Sequence, residues 1–156
     1  MKEELLLLMI LSFIGYLSML SYYNDRNPLK SISAGYYKLP KRIRYFTIIS
    51  YAAFSLPAMW IADSPLIFFA GGSIMLTAVA AAYKLTKLSM KVHVWTAWAG
   101  IALSQVAICF EFGYWWITVV FLIPSLLLWI LKVYTRVYWV EVFAFATLIL
   151  GLYLHK

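Results

Sequence analysis

The sequence predicts an all-α integral membrane protein, a compact bundle of six transmembrane helices joined by short loops. Three observations carry that prediction. Of the 156 residues, 65% are hydrophobic and only 12% are charged, whereas soluble domains lie near half apolar and a quarter charged. Such a chain cannot cover its own surface with polar groups, so lipid is the expected solvent. The apolar residues gather in six runs, and the basic residues fall in alternate loops between them. The length suits one domain and leaves no room for a separate soluble one.

The six runs lie at 4–23, 44–62, 65–83, 93–110, 114–131 and 137–154. Each approaches the ~20 residues that a helix rising ~1.5 Å per residue needs to cross a ~30 Å hydrocarbon core. Stretches such as FLIPSLLLWIL and FATLILGLYL lack the alternation of a β-barrel strand. The first run differs from a cleaved signal, which carries its positive charge before the apolar core. Here Lys2 is offset by Glu3 and Glu4, while Arg26 and Lys30 follow the core, so a retained helix with its amino terminus outward is expected.

The loop 24–43 is the longest and is divided by Pro28, Gly35 and Pro40 into short pieces. Its Ile32, Tyr36, Tyr37 and Leu39 alternate with cations, a pattern for a segment lying against headgroups or capping the bundle mouth. Helix two contains Pro57 and helix five Pro124, each expected to bend its helix. The turns Asp63-Ser64-Pro65 and Glu111-Phe112-Gly113 are tight and force their flanking helices to pack antiparallel.

Orientation follows from charge. Arg26, Lys30, Lys38, Lys41, Arg42 and Arg44, then Lys84, Lys87 and Lys91, then Lys132 and Arg136 all fall on one side if the helices alternate. The other side keeps Lys2 and Lys156, with Glu3, Glu4, Asp63 and Glu111. Positive residues collect in the cytoplasm, so both termini are expected to be non-cytoplasmic. A prokaryotic cytoplasmic (inner) membrane suits this compact design. The net charge of +7 is accounted for by topology and by anionic lipid headgroups, with Lys38, Lys41, Arg42 and Arg44 the expected contacts, rather than by nucleic acid. Cys109 is the single cysteine, which excludes an intramolecular disulfide and any cysteine-rich metal motif. No phosphate loop, dinucleotide fingerprint or paired-histidine motif is present, and neither metal nor cofactor is expected.

A few polar residues inside the apolar runs remain to be explained. Glu141 lies about one and a half turns beyond Arg136. A carboxylate in lipid costs about 2–4 kcal/mol or more, so it is expected to face the bundle interior as a proton carrier, ion ligand or structural anchor. His93 opens the fourth run at a similar depth, so the two can meet across helices, whereas His155 sits at the opposite end. His93, Ala97, Gly100 and Ser104 share one helical face, with Gln105 beside it. Ser73, Thr77 and Ala81, with Gly71 and Gly72, form a small-residue face expected to pack closely.

Three functional readings result. The first is a small transporter, channel or pore-forming unit, working as a homo-oligomer, with Glu141 as its proton or ion group and His93, Ser104 and Gln105 along the pathway. The second is a membrane-embedded lipid hydrolase using His93, Glu141 and Ser33 (or Ser31) near the cytoplasmic headgroups. The third is a structural or interaction subunit whose basic loop docks anionic lipid or an acidic partner. The sequence leaves open whether the protein is an enzyme.

Overall fold

The computed structural model describes residues 1–24, 29–82 and 87–155. Arg26, Pro28, Tyr83, Lys84 and Lys156, which entered the reading of loops and orientation, lie outside the described residues. The chain forms six α-helices: α1 (Lys2–Tyr23), α2 (Tyr45–Ala62), α3 (Pro65–Ala82), α4 (Lys87–Val106), α5 (Trp115–Ile130) and α6 (Arg136–His155). Four stretches, Lys2–Tyr23, Lys41–Ala62, Lys87–Glu111 and Arg136–His155, are long and apolar enough to cross a membrane, and α3 and α5 supply the shorter apolar helices. The exterior is apolar as well: Leu7, Leu11, Ile49, Phe68, Ile123 and Leu126 all stand exposed.

Five of the six helices begin and end within a few residues of the apolar runs. The exception is α4, which starts at Lys87 rather than at His93. Lys87, Ser89 and Lys91 interrupt the apolar run without interrupting the helix, because lysine is a good helix former wherever its amine reaches polar surroundings. His93 therefore lies in the second turn, not at the helix start. At its far end α4 passes into one turn of π-helix, Ala107–Glu111, closed by the Phe112 amide on the Ala107 carbonyl at 2.9 Å and the Tyr114 amide on the Ile108 carbonyl at 2.9 Å. Gly113, at φ 76, makes the reversal into α5, a conformation that a side chain would strain.

Helix α6 is the hub: it packs against α1, α2, α4 and α5. Its Phe145 meets Phe54 of α2 at 4.7 Å between ring centroids and Phe13 of α1 at 5.4 Å, offset and tilted as aromatic quadrupoles prefer. Helices α3 and α4 approach closely at Gly100, where a Cβ would stand 2.9 Å from Ile74 Cγ1 and 3.3 Å from the Ala70 carbonyl oxygen.

One end of the bundle holds the 29–44 loop, the start of α4 and the start of α6. The other end is tied by polar contacts between its turns. Ser64 caps α3 by accepting from the Ile67 amide at 3.1 Å and donates to the Glu111 carboxylate. There His155 stacks on Phe112 at 3.8 Å, and Tyr114 donates its hydroxyl proton to the Leu154 carbonyl at 2.8 Å.

The α3–α4 contact yields a first prediction. Gly100→Leu forces these helices apart and should lower stability by about 1–3 kcal/mol, the usual cost of overpacking. Thermal unfolding in detergent measures it, and an unchanged midpoint would contradict the close approach.

Candidate functional site

The loop between α1 and α2 folds back under the bundle because its apolar residues have nowhere else to go: Leu29, Ile32 and Leu39 are all buried. Two short 3-10 turns, Ser33–Tyr37 and Lys41–Ile43, carry it, separated by Pro40 as the proline spacing requires. At Gly35 the backbone lies so close to Leu20 that a Cβ would stand 2.3 Å from Leu20 Cδ2.

Polar ties fix this loop from several sides. Tyr37 donates its hydroxyl proton to the Ala81 carbonyl at 2.8 Å, one of the orphan carbonyls that end α3. Burial raises the Tyr37 phenol above its ordinary value, with Tyr36 adding to the shift and Arg44 opposing it, so it remains a donor. Arg44 donates Nε to the Leu39 carbonyl at 3.0 Å and Nη2 to the Tyr37 carbonyl at 3.4 Å, while its guanidinium covers the Tyr36 ring. The Tyr138 amide at the start of α6 donates to the Lys30 carbonyl at 3.1 Å. One turn further, Glu141 is 8% exposed. Its Oε2 accepts from the Ile32 amide at 2.5 Å, and the carboxylate also accepts from the Ser33 amide.

Ser33, 3% exposed, is thereby held beneath α4. Its Oγ lies 2.9 Å from His93 Nε2 and 3.2 Å from Ser31 Oγ. The other ring nitrogen, His93 Nδ1, lies 2.9 Å from the Thr77 carbonyl oxygen. A carbonyl can only accept, so Nδ1 carries the proton. In the neutral imidazole the lone pair is then on Nε2, aimed at Ser33, and the Ser33 hydroxyl donates to it. This is the geometry of a nucleophile, a base and an orienting acceptor, with a main-chain carbonyl in the third position.

The pair faces a cavity of ≈ 340 Å³, within the ~300–1,000 Å³ common for small-molecule sites. Apart from Ser31, Ser33, Tyr37, Ser89, His93 and Glu141, its walls are apolar. Met90, Val94 and Trp98 of α4 line it and are also 43%, 44% and 41% exposed, so it opens sideways between α4 and α6. A much smaller void, ≈ 20 Å³, touches the inner side of Glu141 and is lined by Thr77 and Ser104 among others.

Sequence reasoning singled out nine residues, and the structure distributes them unevenly. Ser33, His93 and Glu141 come together, although Glu141 meets the amides beside Ser33 and not the imidazole. Ser104 borders the small void and donates to the Ile101 carbonyl at 2.8 Å. Gln105 lies deeper, its Nε2 donating to Thr147 Oγ1 at 3.0 Å, and its Oε1 has no partner among the described residues. Lys38, Lys41 and Arg42 are exposed. Arg44 bonds within the loop, as described above. Among the described residues no three His, Cys, Asp or Glu side chains gather as a metal site would need. Sequence reasoning missed the Thr77 carbonyl and the Ile32 amide, main-chain groups that no residue type announces. Tyr37 was read only as an interfacial aromatic.

Removing the carboxylate tests the loop anchoring. In Glu141→Leu the Ile32 and Ser33 amides lose their side-chain acceptor, at a cost of about 1–3 kcal/mol each. Hydrogen exchange across 31–34 should quicken roughly 10- to 100-fold, and unchanged protection would show the loop is held by other contacts. No family model, curated protein or solved structure matches this chain.

Proposed function

We propose that the chain is a bilayer-embedded serine hydrolase that cleaves the acyl ester of a lipid, with Ser33 as nucleophile and His93 as general base. The observation that carries this reading is the 2.9 Å contact between Ser33 Oγ and His93 Nε2, with Nδ1 tied to the Thr77 carbonyl, at the wall of an apolar cavity open to the side. The apolar exterior supports placing the bundle in lipid with all six helices crossing. The lysines and arginines at the loop end support placing that end in the cytoplasm.

The chemistry runs in two halves. Ser33 Oγ attacks the ester carbonyl carbon as its proton passes to His93 Nε2. The carbon–oxygen bond to the alcohol breaks, and the departing oxygen takes that proton from His93. Water then gives a proton to Nε2 and attacks the acyl-enzyme, Ser33 Oγ leaves and recovers the proton, and a fatty acid is released. Glu141 takes no proton in this sequence. It holds the Ser33 backbone against α4, so that a hydroxyl on a short loop keeps the alignment a base needs.

A second reading, proton or ion transfer through Glu141, is favoured by one observation: this carboxylate borders both the large cavity and the small void beside Thr77 and Ser104. In that case Glu141→Gln abolishes proton or cation flux in liposomes, and a variant that conducts as well as the parent removes the reading.

For the hydrolase, a fluorophosphonate probe should label Ser33, and Ser33→Ala should lose both labelling and fatty-acid release. His93→Gln should slow release by roughly 100- to 10,000-fold, the usual contribution of a positioned base, with unchanged helical content by circular dichroism. Full lipid turnover in Ser33→Ala would end the proposal.

A further inference from the structure

We infer that the substrate is a single-chain anionic phospholipid, entering sideways between α4 and α6 with its acyl chain in the slot and its phosphate among the lysines at the slot's mouth. The inference rests on the Ser33–His93 hydrolase reading and adds to it the class of molecule cleaved. Three features of the slot lead there.

The first is the direction of entry. Met90, Val94 and Trp98 belong both to the slot wall and to the outer surface of the bundle. A molecule arriving through that gap comes from the surrounding lipid and must be apolar along the part that enters.

The second is depth against volume. Ser33 is almost completely buried, so the scissile ester has to travel into the cavity rather than wait at its rim. The ≈ 340 Å³ available lies at the small end of the range for ligand sites. Ala81 of α3, Ala97 of α4, and Val137 and Val140 of α6 all take part in its lining. A lipid with two chains would bring the second chain's ester and upper methylenes to the same place. A lipid with one chain brings one.

The third is charge. Four lining residues at the loop end, Ser31, Tyr37, Met90 and Val137, each adjoin a cation in sequence: Lys30, Lys38, Lys91 and Arg136. Lys30, Lys38 and Lys91 are exposed. Lys30 lies over Tyr134 and Arg136 over Trp129, contacts that leave their charges uncompensated. None of the four pairs with a carboxylate among the described residues. Cations next in sequence to the lining of an apolar cavity suit a phosphate attached to one acyl chain.

The test uses the full chain in nanodiscs and reads fatty-acid release together with fluorophosphonate labelling of Ser33. The panel is a lysophospholipid with an anionic headgroup, the same chain on a zwitterionic headgroup, and the diacyl lipid with the anionic headgroup. The expected result is labelling of Ser33 and a kcat/KM at least tenfold higher for the anionic lysophospholipid than for either alternative. Lys38→Gln with Lys91→Gln should narrow the headgroup preference several-fold, and Ala97→Phe should shift the preferred acyl length to shorter chains. Labelling of Ser33 with equal or greater turnover of the diacyl or zwitterionic lipid overturns the inference and leaves the hydrolase standing. An unmoved chain-length profile in Ala97→Phe places the chain elsewhere and overturns it too. Absence of both labelling and release defeats the hydrolase reading itself, and this inference with it.

Discussion

A carboxylate away from water and two main-chain amides outside any α-helix each carry a penalty alone, and at Glu141 they meet. An unpaired buried carboxylate is among the most expensive groups a protein can hold, and an orphaned buried amide costs about 1–3 kcal/mol. Placing the carboxylate on α6 against the loop gives the buried Ile32 amide an acceptor and the carboxylate a donor. A pair of apolar side chains could fill the same space with comparable stability, but apolar contacts are not directional. The carboxylate specifies which atoms of the loop lie against α6, and the rest of that end follows: Ser33 under α4, Tyr37 reaching Ala81, and Arg44 folded back over its own loop.

His93 is oriented by a different economy. On a helix packed against α3, its ring takes a main-chain carbonyl as partner for Nδ1. Thr77, which supplies that carbonyl, spends its hydroxyl on the Ser73 carbonyl and on Thr96, so this part of the α3–α4 interface is polar yet paired. A carbonyl can only accept, so it fixes the tautomer of the neutral ring as a carboxylate would.

Much of the architecture was legible because helices apolar inside and out are a coarse feature that composition records directly. Six apolar runs gave six helices, and Pro40 with Gly35 marked a loop made of short turns. The start of α4 was illegible to the same reasoning: Lys87 and Lys91 end an apolar run but are good helix formers, and hydropathy measures only the first property. For the site, Glu141 and His93 were conspicuous as polar residues in apolar surroundings. Ser33 was one of two serines in an irregular loop, and only the folded loop distinguishes it from Ser31. The partners that give these side chains their roles, the Ile32 amide and the Thr77 carbonyl, exist in every residue type and leave no mark in the sequence.

The tie between Ile32 and Glu141 joins positions 109 residues apart. During synthesis the loop that carries Ser33 emerges after the first helix, while its anchor arrives with the last. Until α6 packs against α1, α2 and α4, the Ile32 amide lacks its carboxylate acceptor and the cavity beside Met90 and Val94 lacks the α6 part of its lining. The Ser33–His93 contact therefore gains its support from α6 only once the last helix is made. Contacts this distant in sequence are slow to close, which makes this end of the bundle the part of the fold most dependent on α6.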